Sequence, residues 1–334
     1  MSRPVLLIRE EEIRSALDMG SCIEAMRSAF AAYSSGAAEL PAVIHLNVPE
    51  AAAEIHIKAG YLHGGVIYAA KFASGFPGNA ALGLATSDGI VLAFDAATGA
   101  PRALMFDNGF ITDLRTGAAG GLAASLLAPE DVSVVAVVGT GAQARYQLDA
   151  LVQARSFGEV RVWGRDEDKA RACVDDLVGR PGLPDGLRTS VAPTVREAVE
   201  GADVVITCTA SREPLVEADW LSPSAHVTAV GSDGPDKQEL ATEILGRADV
   251  LVVDSRPQCA ERGELHHALE DRVIADAVAA AELGEVVAGT RPGRTSRDQL
   301  TVCDLTGVGV QDVAAAALVL ERAIATGAGE TVQI

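Results

Sequence analysis

"VVGTGAQARYQ", residues Val137 to Gln147, decides the fold. The run before it, "VSVVAVVG" from Val132 to Gly139, is apolar and β-branched and reads as a buried strand. The run after it, "ARYQLDALVQA", has the spacing of a helix. Between them Gly139 permits a tight turn, and Gly141 lets the backbone approach a pyrophosphate. Ala144 stands where a third small residue packs helix on strand. The helix start offers free N–H groups and the positive end of a dipole. The stretch therefore reads as a dinucleotide-binding turn; the alternative is a strand–helix turn with no ligand.

Working outward, strands and helices alternate downstream. "EVRVWGR", "ADVVITCT", "AHVTAVGS" and "ADVLVVDS" read as strands, with "DKARACVDDLV" among the helices. That alternation predicts a doubly wound parallel sheet. Upstream the texture differs. Glu10 to Tyr33 has helical spacing, with Asp18 or Ser21 placed to cap a second helix within it. Strand-like pieces follow at 43–48, 53–59, 65–71 and 90–95, separated by turn clusters such as "SGFPGN" and "AATGAPR". "TDLRTGAAGGLAASLLA", Thr112 to Ala128, reads as a helix of small residues that leads into the second domain. The expected fold class is α/β: a doubly wound parallel Rossmann sheet preceded by a strand-rich α+β substrate and dimerisation domain. The expected division is 1–128 and 129–312, with a last helix from Val313 running back onto the first unit within 313–334.

Composition narrows the function. The 334 residues suffice for about two domains, and 49% of them are hydrophobic. A formal net charge of −19 argues against nucleic acid and against an anionic membrane surface. No apolar run is long enough to span a membrane, and the N-terminus turns acidic too early for a secretory signal. The five cysteines are scattered and odd in number, as expected of reduced thiols in a cytoplasm. The six histidines are scattered too, so no metal site is expected from their spacing.

The second Rossmann strand should end beside the adenosine ribose, where an NAD site wants an acid. Here Gly164 occupies that point and Arg165 follows. Glycine leaves room and arginine can pair with a 2′-phosphate, which favours NADP(H) over NAD(H). The alternative is a surface arginine paired with Asp166, itself a helix cap. In the first domain Lys58 and Lys71 fall on adjacent strand-like segments, Lys71 inside the apolar "VIYAAKF". A lysine there is either an edge residue or a group facing a pocket. With Arg115 from the joining helix, it would make a carboxylate clamp.

Taken together, Lys71 with "SGFPGN", "TDLRTGAAGGLAA", "VVGTGAQA", "GSDGPDKQEL" and "DLTGVGVQD" resemble the ornithine cyclodeaminase/μ-crystallin family. The stretch "IHIKAGY…AAKFASGF…DNGFITDLRT" looks most like its ectoine-utilisation branch. The resemblance implies a substrate domain first, a Rossmann domain second and a homodimer formed through the N-terminal sheets. It implies that Lys71 and Arg115 bind the substrate carboxylate and that Asp233 donates and accepts the proton. It also implies that Thr86, Thr116, Ala142, Gln143 and Thr209 line the dinucleotide. Departures accompany it. Ala42 stands where many members have an arginine, leaving His45 as the nearest polar substitute. Leu305 replaces a late serine, and Lys58 replaces the glutamate of cyclodeaminases.

Lys58 would repel the cationic far end of ornithine or lysine, an effect of several kcal/mol in a partly buried site (~4 Å). It suits a second carboxylate or a neutral side chain. The expected activity is reduction of a cyclic or acyclic 2-imino acid to an amino acid, or the reverse dehydrogenation. The alternatives are a redox-neutral amino-acid cyclodeaminase and an NADP-linked μ-crystallin-like binding protein.

Overall fold

The computed structural model describes residues 3–334. It divides into two compact units, one of residues 1–115 and 308–334, the other of 116–307. The first division falls at Arg115, inside a helix, where the composition change had suggested 128. The second falls at 307, ahead of the last helix rather than within its first turn.

Unit 1 opens with β1 (Pro4–Arg9), α1 (Glu10–Ala16) and α2 (Met19–Ser34). The break between the helices is at Leu17, and Asp18 caps α2 by accepting from Ser21 N at 2.9 Å. Then come β2 (Ala38–Glu39), β3 (Ile44–Val48), β4 (Ala53–Leu62), β5 (Ile67–Gly75), β6 (Ser87–Asp95) and β7 (Pro101–Phe106). Helix α3 (Phe110–Leu127) carries the chain out of the unit.

Unit 2 begins its sheet with β8 (Val134–Val138), α4 (Ala142–Ala154), β9 (Glu159–Trp163), α5 (Glu167–Leu177) and β10 (Arg188–Val191). It continues through α6 (Val195–Val199), β11 (Val204–Thr207), β12 (Arg212–Val216), β13 (His226–Ala229) and β14 (Gln238–Leu240). Next are α7 (Thr242–Arg247), β15 (Val250–Val253), α8 (Arg256–Glu261) and α9 (Glu264–Glu270). It closes with β16 (Ala281–Glu282), α10 (Leu283–Val287) and β17 (Thr301–Asp304). The chain then returns to unit 1 as α11 (Gly309–Thr326) and β18 (Glu330–Gln333).

The sheet of unit 1 runs β18-β1-β7-β6-β5-β4-β2, with β3 also pairing β4. Among the described residues the β1–β7 pair is parallel and the other pairs of this sheet are antiparallel. Alternation gives the sheet two unlike faces. One is covered by α11, which approaches β4 so closely that a Cβ on Gly309 would lie 2.4 Å from Ala59 O. The other carries a cross-strand row of Ile44, Ile57, Phe72 and Ile90, with Phe106 at its end. Ile44 is 54% exposed, Phe72 39% and Phe106 42%.

Unit 2 holds an all-parallel sheet in the order β10-β9-β8-β11-β13-β17-β15-β16. Strands β11, β13, β15 and β17 are buried along their whole length, as a sheet covered on both faces requires. The chain starts at β8, winds outward to β10, then crosses back to β11. That reversal makes the β8–β11 boundary the switch point where α/β folds bind ligands. Among the described residues no helix is long and apolar enough to cross a membrane.

The small residues of α3 have a packing reason. A Cβ on Gly121 would lie 2.8 Å from Ala150 Cβ and 3.0 Å from Ala150 O of α4. Gly121→Val should therefore force the two helices apart and lower stability by about 1–3 kcal/mol in chemical denaturation. An unchanged midpoint would show that the contact is slack.

Candidate active site

The glycine turn sits at the switch point. Gly139 has φ of 133°, and a Cβ there would lie 2.7 Å from both the carbonyl oxygen and Sγ of Cys208, just beyond β11. No other residue fits both the conformation and the space. Gly141 is the N-cap of α4, and no side chain caps it. A Cβ on Gly141 would meet nothing within 4 Å, so this part of the turn faces open space. A cleft of about 370 Å³ opens there, lined by Gly139, Gly141, Trp163, Arg165 and Thr209 among others. Arg145 latches the turn from behind. Its Nη1 donates to Thr140 O at 2.8 Å and Gly141 O at 3.1 Å, while its Nη2 pairs with Asp176 at 2.5 Å. This arrangement fits a dinucleotide pyrophosphate. Gln143 accepts from Gln147 Nε2, which also donates to Thr116 O at 3.1 Å.

At the end of β9 the structure changes the reading of Gly164. A Cβ there would lie 2.4 Å from Thr140 Cγ2, so the glycine is required by packing against the turn. Arg165 is exposed beside the cleft, and no ion pair engages it among the described residues. Asp166 is occupied as the α5 cap, accepting from Asp168 N and Lys169 N. The alternative of an Arg165–Asp166 pair is not what forms.

Within unit 1, Lys58 and Lys71 are directly opposed across β4 and β5, on the face that α11 covers. Lys71 is 1% exposed, and its Nζ donates to Asp312 Oδ1 at 2.7 Å. Arg115 is also buried. Its Nη1 donates to Gln311 Oε1 at 3.1 Å, and its Nε lies 3.3 Å from Asp312 Oδ1. Arg115 Nε and Asp312 Oδ2 have no hydrogen-bond partner among the described residues, so polar capacity is left over beside Lys71. Burial pushes the Lys71 ammonium down to about 8, against the pull of Asp312. Asp312 is held below the usual carboxylate range: Lys71 and Arg115, with Lys58 adding through space, outweigh its burial. Asp107, buried nearby, is shifted upward, chiefly by desolvation.

His45 lies on the same face but apart from this cluster, stacked on His56 with ring centroids 4.4 Å apart. Thr86 is exposed in unit 1, and its carbonyl accepts from Phe76 N. In unit 2, Asp233 follows β13, and its Oδ1 accepts from Lys237 Nζ at 2.8 Å. Thr209 follows β11 and gives both its N–H and its hydroxyl to Glu239.

Three of these participants were not singled out by sequence reasoning: Asp312, Arg145 and Glu239. Asp312 and Lys71 are 241 residues apart, so spacing carries no signal for the pair. The "DLTGVGVQD" and "GSDGPDKQEL" motifs contain Asp312 and Glu239, and only their place in a resemblance drew attention to them.

Residues 4–327 match the model of the ornithine cyclodeaminase/mu-crystallin family. The chain belongs to that family. Among solved structures, an archaeal alanine dehydrogenase dimer with bound NAD is similar at 35% identity and TM-score 0.90, over 99% of both chains. The Thermococcus litoralis Δ1-pyrroline-2-carboxylate reductase, in complex with NADH and L-proline, gives 31% and 0.91 over 98% of this chain and 100% of that one. The iminosuccinate reductase of Paracoccus denitrificans, in complex with NAD+, gives 29% and 0.89 over 99% and 100%.

Removing Asp312 leaves two buried cations facing each other. Asp312→Ala should therefore lower stability by about 3–5 kcal/mol, read by denaturant unfolding at neutral pH. A loss below about 1 kcal/mol would mean that Lys71 and Arg115 are not held by it.

Proposed function

We propose that this protein is an NAD(P)-dependent oxidoreductase acting on a C–N bond, reducing a 2-imino acid to an amino acid or running the reverse dehydrogenation. The observation that carries the reading is the buried Lys71–Asp312–Arg115 cluster, in a chain whose other unit holds a dinucleotide turn. The family's solved alanine dehydrogenase and imino-acid reductases support it. Lys71 and the Nε of Arg115 bind the substrate carboxylate; Asp312 fixes both cations and keeps Lys71 protonated. Gly139, Gly141 and the start of α4 hold the pyrophosphate, and Thr86, Thr116 and Thr209 belong to the same dinucleotide set. When bound, the nicotinamide supplies or accepts the hydride. Asp233, whose Oδ1 accepts from Lys237 Nζ, moves the proton.

Lys58 on the face of Lys71 is the reason to set cyclodeamination of ornithine or lysine aside. The finer likeness to the ectoine-utilisation branch rests on the quoted motifs alone.

The direct test offers NADH or NADPH with 2-oxo acids plus ammonia or methylamine, and with cyclic imines, following reduced-nicotinamide absorbance. Asp233→Asn should chiefly lower kcat, by about 10²-fold or more. Lys71→Ala should chiefly raise KM, and in the wild type KM should rise as pH passes about 8, where Lys71 loses its charge. Near-normal turnover in both variants would overturn these roles.

NADP(H) is the cofactor we favour, on the exposed Arg165 beside the cleft. The similar solved proteins named above carry NAD, NADH or NAD+, so the test is direct. Arg165→Ala should weaken NADPH by about 1.5–3 kcal/mol and leave NADH nearly unchanged in fluorescence titration. Equal losses would favour NAD(H).

The apolar row of Ile44, Phe72 and Phe106 on the uncovered sheet face supports a homodimer built on unit 1. Light scattering should give twice the chain mass at micromolar concentration, and Phe72→Glu should shift it toward the monomer. A wild-type monomer would overturn this.

A further inference from the structure

Glu239 lies on β14 with no solvent exposure, and its carboxylate gathers four donors. Oε1 accepts from Thr209 N at 2.5 Å and Thr209 Oγ1 at 2.7 Å. Oε2 accepts from Thr207 Oγ1 and from Gly231 N, both at 2.8 Å. Thr207 and Thr209 end β11 and begin the turn after it; Gly231 belongs to the turn after β13, two residues before Asp233. One carboxylate therefore ties the turn that lines the nucleotide cleft to the turn that carries the proposed proton-transfer residue. The fit is close: a Cβ on Gly231 would lie 2.1 Å from Thr209 O and 2.5 Å from Glu239 Cδ.

Glu239 is itself held. Its own N–H and that of Leu240 donate to the buried carboxylate of Glu264, at 2.8 and 3.1 Å. Downstream, Lys237 O accepts from Ser232 Oγ and from the ring nitrogen Nε2 of His267, which closes the loop around Asp233. Every oxygen of Glu239 has its donors, unlike Asp312, which has one oxygen to spare. A carboxylate so saturated binds no substrate. It can only set positions.

We propose that Glu239 is a positioning residue that couples dinucleotide binding at the Thr209 turn to the placement of Asp233 through the Gly231 turn. The proposal rests on the nicotinamide-dependent reading above. It gives the acid of "GSDGPDKQEL" a task distinct from that of Asp233 in the same motif. Glutamine cannot replace it, because either amide orientation sets an NH₂ against a backbone N–H, of Thr209 or of Gly231.

The test is Glu239→Gln in the full chain, with Leu245→Ala as a control for lost stability, since Leu245 is a buried apolar residue of α7. In the cofactor-free protein, amide hydrogen exchange should speed up in Glu239→Gln over both 207–211 and 230–234. NADH or NADPH binding, read by fluorescence without turnover, should weaken about tenfold. Leu245→Ala should lower the melting temperature without either change. If Glu239→Gln does not fold, Thr207→Val removes one donor to Oε2 at nearly constant shape and should loosen 230–234. The proposal is overturned if only one turn loosens in Glu239→Gln, if dinucleotide affinity is unchanged, or if Leu245→Ala reproduces both effects. A wild type that binds no nicotinamide dinucleotide would instead sink the functional reading, and the exchange comparison would still report on the tether.

Discussion

A buried lysine on a sheet face and a buried arginine on the helix after it are costly unless an anion meets them, and the organisation of unit 1 follows from that requirement. Lys71 and Arg115 come early in the chain, and the carboxylate between them, Asp312, arrives only with the last helix. The chain must complete unit 2 and return before the charges are balanced. The same return supplies β18, which pairs with β1, and α11, whose packing on β4 and β5 covers the lysines. A buried ion pair is weak evidence of net stabilisation, because desolvation offsets much of the attraction. Its value here lies in what remains unsatisfied. Arg115 Nε has no hydrogen-bond partner among the described residues, burial brings the Lys71 ammonium down to about 8, and Lys58 adds further positive charge.

The legibility of the two units differs for a physical reason. A parallel sheet built from strand–helix pairs writes itself locally: each strand is a short apolar run, each helix follows at once, and the glycine turn marks the first crossing. Unit 1 depends on pairings between distant segments. Strand β7 begins with Pro101, inside what reads as a turn cluster; proline is tolerated there because it is the first strand residue. Strand β18 pairs with β1 from the opposite end of the chain. The cap of α2, by contrast, was legible to within Asp18 or Ser21, because capping is an interaction three residues long; Asp18 fills it.

The site divides the same way. Lys71 was conspicuous as a charge in an apolar strand, and Arg115 as the one cation in a helix of small residues. Their counter-ion was invisible, since no spacing rule links positions so far apart. Gly164 shows the opposite hazard. Its absence of a side chain reads as room for a phosphate, yet the structure fills that room with Thr140. Arg165 alone is then left to recognise a 2′-phosphate, a residue whose charge is plain in the sequence and whose freedom from Asp166 is not.

Asp312 and Glu239 are both fully buried carboxylates that hold other groups in place, and the contrast between them separates binding from positioning. Asp312 faces cations and leaves one oxygen unmet, so its surroundings can still take a polar ligand. Glu239 faces two backbone N–H groups and two hydroxyls and has nothing left to offer. Burial raises the proton affinity of Glu239, and the four donors oppose it. The turns after β11 and β13 are thus held by a carboxylate with no open position, while the buried cations of unit 1 meet one that keeps an oxygen free.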